Sequence, residues 1–200
     1  MKYLRTSFLA LAFAVALTAR GADDFKLEPG FVSLFNGKDL TGWCYREGDK
    51  AETKITETFD AKTAADDGRF SAKDGVLIVH PRTPHQIQNA YTQREFPKDF
   101  VLRMEFRAAV NTDSGIYVRG PQLQCRDYLV AGPAKYKQLK KYRAQDWNEI
   151  EIVVKDGTAR CTCNGELLEE AMKVPATGPI GVEGDRGQME YRRIRVKELP

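Results

Sequence analysis

The segment from Phe100 to Asp127, FVLRMEFRAAVNTDSGIYVRGPQLQCRD, carries the fold in its alternation. From Phe100 to Ala108, Leu102, Met104 and Phe106 alternate with Arg103, Glu105 and Arg107, the period of a strand with one buried face. Asn111-Thr112-Asp113-Ser114-Gly115 is rich in turn formers, and beyond it Ile116 and Val118 alternate with Tyr117 and Arg119. After Gly120-Pro121, Leu123 and Cys125 alternate with Gln122, Gln124 and Arg126. Three neighbouring strands of one sheet would bring Arg103, Glu105, Arg107, Tyr117, Arg119, Gln122 and Gln124 onto one face. Guanidinium forks, amides, a carboxylate and a phenol suit a polyhydroxylated, sugar-sized ligand better than an apolar one.

The same grammar extends both ways along the chain. Phe31 to Phe35 is a short apolar strand that stops at Asn36-Gly37, and Phe70 to Val79 is a hairpin turning at Asp74-Gly75. Ile150, Ile152 and Val154 alternate after Trp147; Asp156-Gly157 and Asn164-Gly165 then turn the chain twice. Gly178 to Glu183 and Met189 to Val196 supply further strands, separated by a turn at Asp185 to Gly187. Leu40, Trp43 and Trp147 read as core anchors. Arg46 to Arg69, charged and poor in large apolar residues, reads as a surface excursion, and Tyr128 to Arg143 as a loop or short helix. His80 and His85 sit in a loop with Pro81 and Pro84. Many short strands with frequent turn signals and no long amphipathic helix define an all-β, two-sheet sandwich or a barrel.

Two hundred residues with 42% hydrophobic content are enough for one domain with a real core. The net charge of +3 includes Lys2 and Arg5 and comes without a basic, aromatic-interleaved block, so nucleic acid is not an expected partner. Residues 1–22 have the form of a secretory signal: Lys2 and Arg5, an apolar run from Phe8 to Leu17, then small residues. The run is too short to span a bilayer comfortably, so an exported product, periplasmic or extracellular and free of the membrane after cleavage, is expected. Residues 23–29 read as a linker and 30–200 as a single domain. Cys44, Cys125, Cys161 and Cys163 leave their pairing open. No metal and no cofactor is expected: no Cys/His set has zinc spacing, and Asp113 and the Asp66-Asp67-Gly68 run stand isolated.

Leu34-Phe35-Asn36-Gly37-Lys38-Asp39-Leu40-Thr41-Gly42-Trp43 resembles the opening motif of the 3-keto-disaccharide hydrolase family. The resemblance continues through Asp99 to Arg107, Ser114 to Arg119, Trp147-Asn148, Asn164-Gly165, Gly178 to Gly181 and Tyr191 to Val196. It implies a concanavalin A-like jelly-roll sandwich with ligand on the concave face, and activity on glycosides oxidised at C3. The chain also departs from the family. Thr112-Asp113 looks like a two-residue expansion, Gln122 stands where the family often has Glu, and Glu183 where it usually has Gln.

Such chemistry needs a base for the C2 proton, an acid for the leaving group and a donor for the enolate oxygen. For that chemistry Glu105 is the expected base, Arg119 and Arg107 the groups at the oxyanion, and Tyr117, His80 or His85 the acid. Arg103, Gln122, Gln124 and Asp127 would hold hydroxyls, with Asp127 reaching that face only through a bulge. The paired acidic residues of laminarinase-type glycosidases are absent, which argues against a retaining glycosidase. Two readings stay open: a 3-keto-glycoside-cleaving enzyme and a non-catalytic carbohydrate-binding module on the same sandwich.

Overall fold

Alternation becomes two stacked sheets in a computed structural model that describes residues 25–83, 86–130 and 132–200. The strands are β1 (Val32–Ser33), β2 (Trp43–Arg46), β3 (Ile55–Thr58), β4 (Phe70–Lys73), β5 (Val76–Val79), β6 (Gln88–Thr92) and β7 (Phe100–Ala108). They continue as β8 (Gly115–Val118), β9 (Gln122–Gln124), β10 (Asn148–Lys155), β11 (Thr158–Cys163), β12 (Glu166–Lys173), β13 (Ile180–Gly184) and β14 (Met189–Glu198). The larger sheet, A, has the order β12-β11-β10-β7-β14-β5-β4, with β1 added on β14; the smaller, B, has the order β3-β2-β6-β13-β8-β9. The pairings are antiparallel, and the fold is the expected jelly-roll sandwich.

The core lies between the sheets. Leu102, Met104 and Phe106 of β7 and Ile150 and Ile152 of β10 enter it from sheet A, and Ile116, Val118, Ile180 and Val182 enter it from sheet B. Each such side chain contributes about 1.5–3 kcal/mol by leaving water. The family-like motifs serve this frame. Trp43, fully buried, donates its indole N–H to the Leu34 carbonyl at 2.8 Å, while Asn36 Oδ1 accepts from the backbone N–H groups of Lys38 and Asp39. Asn148 donates to the Arg143 and Asp146 carbonyls and accepts from Asn164 Nδ2 at 2.8 Å, tying β10 to the turn after β11.

Three expectations about the frame need correction. The first is that β7, β8 and β9 share a sheet. They do not: β7 runs in sheet A, and β8 and β9 in sheet B. Because β7 and β8 aim their apolar sets into the same core, their polar sets point to opposite outer surfaces of the sandwich. The second concerns the 46–69 stretch, which is more than an excursion: it forms edge strand β3 and plugs the core with Phe59. The third is Trp147, which is no core anchor. It lies on the outer side of sheet A, flanked by the Arg107 and Arg192 guanidinium groups. Between β9 and β10 the 3-10 helix Ala134–Gln138 answers the loop-or-short-helix reading. All four cysteines are buried free thiols. The expected signal segment, residues 1–22, and His85 lie outside the described residues.

Candidate functional site

The polar residues of β7 do not reach β8 and β9. Arg103 pairs with Glu151 and Glu28, and Arg107 pairs with Glu190. Glu105 is held by Arg192 Nε at 2.6 Å and by the Arg193 guanidinium. A bulge in β14 between Arg192 and Arg195, with Arg193 at φ 52°, turns both arginines onto that one carboxylate. This is a salt-bridged outer face, with Glu149 on Arg195 completing it.

Other expected residues also go elsewhere. Arg119, at φ 56° and 4% exposed, turns its side chain to the Pro175 and Lys98 carbonyls and over the Phe100 ring. Asp127 is buried and accepts from the Asn111 backbone N–H at 3.0 Å, stapling two loops instead of reaching the outer face. His80 Nε2 lies 2.7 Å from Ser71 Oγ of β4, in sheet A.

Tyr117, Gln122 and Gln124 do come together, on the outer face of sheet B, and they converge on Glu183. Glu183 is on β13, and its Oε1 accepts from the Tyr117 hydroxyl at 3.1 Å. Its Oε2 accepts from Gln122 Nε2 at 2.6 Å, and Gln122 Oε1 in turn accepts from Gln124 Nε2 at 2.9 Å. Two glycines make room for this arrangement. A methyl at Gly115 would sit 2.1 Å from Gln122 Nε2, and one at Gly181 would sit 2.5 Å from the Tyr91 ring. Opposite Glu183 on β6 stands Asn89, whose Nδ2 donates to the Asp49 carbonyl at 3.1 Å.

Glu183 is only 5% exposed. Burial pushes its carboxyl up to a pKa of about 6, Asp185 and Asp113 push the same way, and the Tyr117 and Gln122 hydrogen bonds offset part of this. Burial also raises the Tyr117 phenol above its usual range, so it stays a proton donor. Asp113 is paired with Arg126 at 2.6 Å beside this cluster. Behind it, fully buried Arg69 donates to the carbonyls of His80 (2.6 Å), Gln86 (3.1 Å) and Asp185 (2.8 Å), fixing the loop that follows β13.

Asn89, Tyr91 and Asp185 were not singled out in the sequence as site residues. The one signal for the site's centre was Glu183, standing where the family usually carries Gln. The site is thus a buried carboxylate among amides and a phenol on the outer face of sheet B, a polar set of the kind a carbohydrate-active protein presents. Residues 30–197 match the 3-keto-alpha-glucoside-1,2-lyase-like domain, and the chain belongs to that family. No curated protein matches it by sequence. Its fold is similar to that of a proposed glycosyl hydrolase from Parabacteroides distasonis ATCC 8503, with TM-score 0.63 and 17% identity over 86% of this chain and 94% of the other. A second such structure from the same organism aligns with TM-score 0.52 and 18% identity over 68% of this chain and 92% of the other.

Proposed function

We propose that the chain is an exported enzyme that cleaves 3-keto-glycosides at the outer face of sheet B, with Glu183 as the base. The observation that carries this reading is the buried Glu183 carboxyl, raised to about 6 and held between a phenol and an amide. A base whose affinity for a proton lies near the working pH is suited to general base catalysis. A ketone at C3 acidifies the C2 proton. Glu183 takes that proton, the electron pair forms the C1–C2 double bond, and the C1–O bond breaks. Tyr117 gives its proton to the departing oxygen and takes the C2 proton over from Glu183, so the leaving group carries the former phenol proton and both residues return to their starting states. Water then adds at C1. Gln122 and Gln124 hold hydroxyls.

Glu183 takes the role first expected of Glu105, which the two β14 arginines already engage. A non-catalytic sugar module at this face would call for an exposed aromatic platform, whereas on the outer face of sheet B Tyr91 is 1% exposed and its ring is packed against Tyr117. The test is release of sugar from a 3-keto-disaccharide and from its unoxidised parent. Turnover of the keto form alone supports the reading; binding of both without turnover leaves a lectin-like domain. Glu105→Gln is expected to keep that turnover. Its cost falls on stability, about 1–2 kcal/mol in chemical denaturation, because Arg192 and Arg193 lose a charged acceptor. Loss of turnover in a folded Glu105→Gln protein would return the base to sheet A.

A further inference from the structure

Abstraction of the C2 proton puts negative charge on one oxygen. When Glu183 takes that proton, the electron pair left on C2 spreads onto the C3 oxygen. When the C1–O bond then breaks, the same pair forms the C1–C2 double bond, and the C3 oxygen is a ketone again. A fixed positive donor at that oxygen lowers the barrier. Arg107 and Arg119, expected there from the sequence, do not supply it. Arg107 is paired with Glu190 on the outer face of sheet A, and Arg119 donates to the Pro175 and Lys98 carbonyls.

The outer face of sheet B carries another arginine. Arg126 follows Gln122 and Gln124 in the alternation of β9, and the ladder that sets Gly115 opposite Gln124 continues past the strand to carry it. The Cys125 N–H donates to the Ser114 carbonyl at 3.1 Å, and the Asp127 N–H to the Thr112 carbonyl at 3.0 Å. Cys125 is buried in the core, so Arg126 leaves the chain on the outer side, across from Asp113. Its Nη2 lies 2.6 Å from Asp113 Oδ1, and a carboxylate oxygen of Asp113 lies within 4.8 Å of one of Glu183. The guanidinium is therefore one carboxylate away from the base. C2 and the C3 oxygen are two bonds apart, so one sugar ring over Gln122 and Gln124 can meet both groups.

The state of this guanidinium suits the task. Asp113 is its one ion-pair or hydrogen-bond partner among the described residues, which leaves Nη1 uncommitted. Arginine has donors and no acceptor, and it stays charged at any working pH. Its stem is pinned: a methyl at Gly132 would come within 2.8 Å of Arg126 Cδ, and the side chain is only 13% exposed. A donor held still in partly dry surroundings stabilises developing charge without reorganising. Arg186, the other arginine beside Asp113, is half exposed and donates to the carbonyl and the side-chain oxygen of Asn111.

We propose that Arg126 is a further catalytic residue of this site, its guanidinium holding the C3 oxygen of the substrate as negative charge develops there. The assignment deepens the lyase reading and rests on it.

The test compares the unaltered protein with Arg126→Gln, Arg126→Lys and Arg126→Ala on a 3-keto-disaccharide, with circular dichroism to establish folding. Arg126→Gln is expected to lower kcat by about 10²–10³-fold, and Arg126→Lys by less. Added guanidinium chloride at millimolar concentration should restore part of the Arg126→Ala rate, which a merely structural role would not allow. A rate for folded Arg126→Gln within about threefold of the unaltered protein overturns the assignment and leaves Glu183 as the base. A loss that neither lysine nor free guanidinium relieves also overturns it. If the unaltered protein turns over no keto-glycoside, the lyase reading fails and binding decides Arg126 by calorimetry. Binding of the keto sugar weakened at least about fivefold in Arg126→Gln, with binding of the unoxidised disaccharide unchanged, keeps Arg126 at the C3 oxygen. An equal effect on both sugars removes it.

Discussion

Replacing Glu183 by Gln is expected to lower kcat/KM on a 3-keto-disaccharide by about 10³-fold while the protein stays folded. The substitution keeps the shape of the side chain and removes the atom that accepts the C2 proton. It also disturbs the local hydrogen bonding, since Glu183 accepts from both Tyr117 and Gln122 and a glutamine can accept at only one end. Rotation of the Gln122 amide can restore the second contact, so the melting temperature should move by no more than a few degrees, of the order seen for about 1 kcal/mol. Steady-state kinetics on both proteins, with circular dichroism to establish folding, checks this. Activity within tenfold of the parent would remove Glu183 from the base position.

Arg69→Ala should be the most damaging single change to stability outside the apolar core, at about 3–5 kcal/mol. The guanidinium is 1% exposed and satisfies three carbonyls that no neighbouring strand serves in its place. Its removal leaves those oxygens in a cavity, each costing about 1–3 kcal/mol less whatever water recovers. The packing around it is tight: a methyl at Gly184 would come within 2.4 Å of its Nε. Urea denaturation measures the loss, and a value under about 1 kcal/mol would mean that the three carbonyls find other donors. Because one of them belongs to Asp185, the damage should extend to the site. Arg69 is a positioning residue there, acting through the Asp185 carbonyl.

The sequence shows which residues of each strand point inward because strand periodicity is a local property. Leu102, Met104, Phe106, Ile116 and Val118 all lie in the core as their alternation implies. The turns at Asp74-Gly75, Asp156-Gly157 and Asn164-Gly165 come from dipeptides that accept left-handed backbone, and each of these residues has positive φ. Assignment of a strand to a sheet is not local. A sandwich has two outer faces, and alternation treats them alike, so Glu105 and Tyr117 looked like neighbours.

Arg119 was misread for a different reason. Its positive φ takes the side chain off the strand's alternation, and nothing in Val118-Arg119-Gly120 announces that except the glycine. Tyr117, Gln122 and Gln124 were legible because they share the short β8–β9 hairpin. Their partner Glu183 arrives from 61 residues beyond Gln122, paired through β13, and only its departure from the family pattern marked it. The free state of the four thiols was equally a question of packing, which spacing leaves open.

The most direct measurement of the central claim follows the C2 proton of a 3-keto-disaccharide by NMR in D2O, with the purified protein and with the Glu183→Gln variant. Loss of the C2 proton signal together with sugar release, both abolished in the variant and both absent with the unoxidised parent, is the expected result. Sugar release with the C2 proton retained, or equal cleavage of the unoxidised parent, would contradict proton abstraction at C2 and the site built around Glu183.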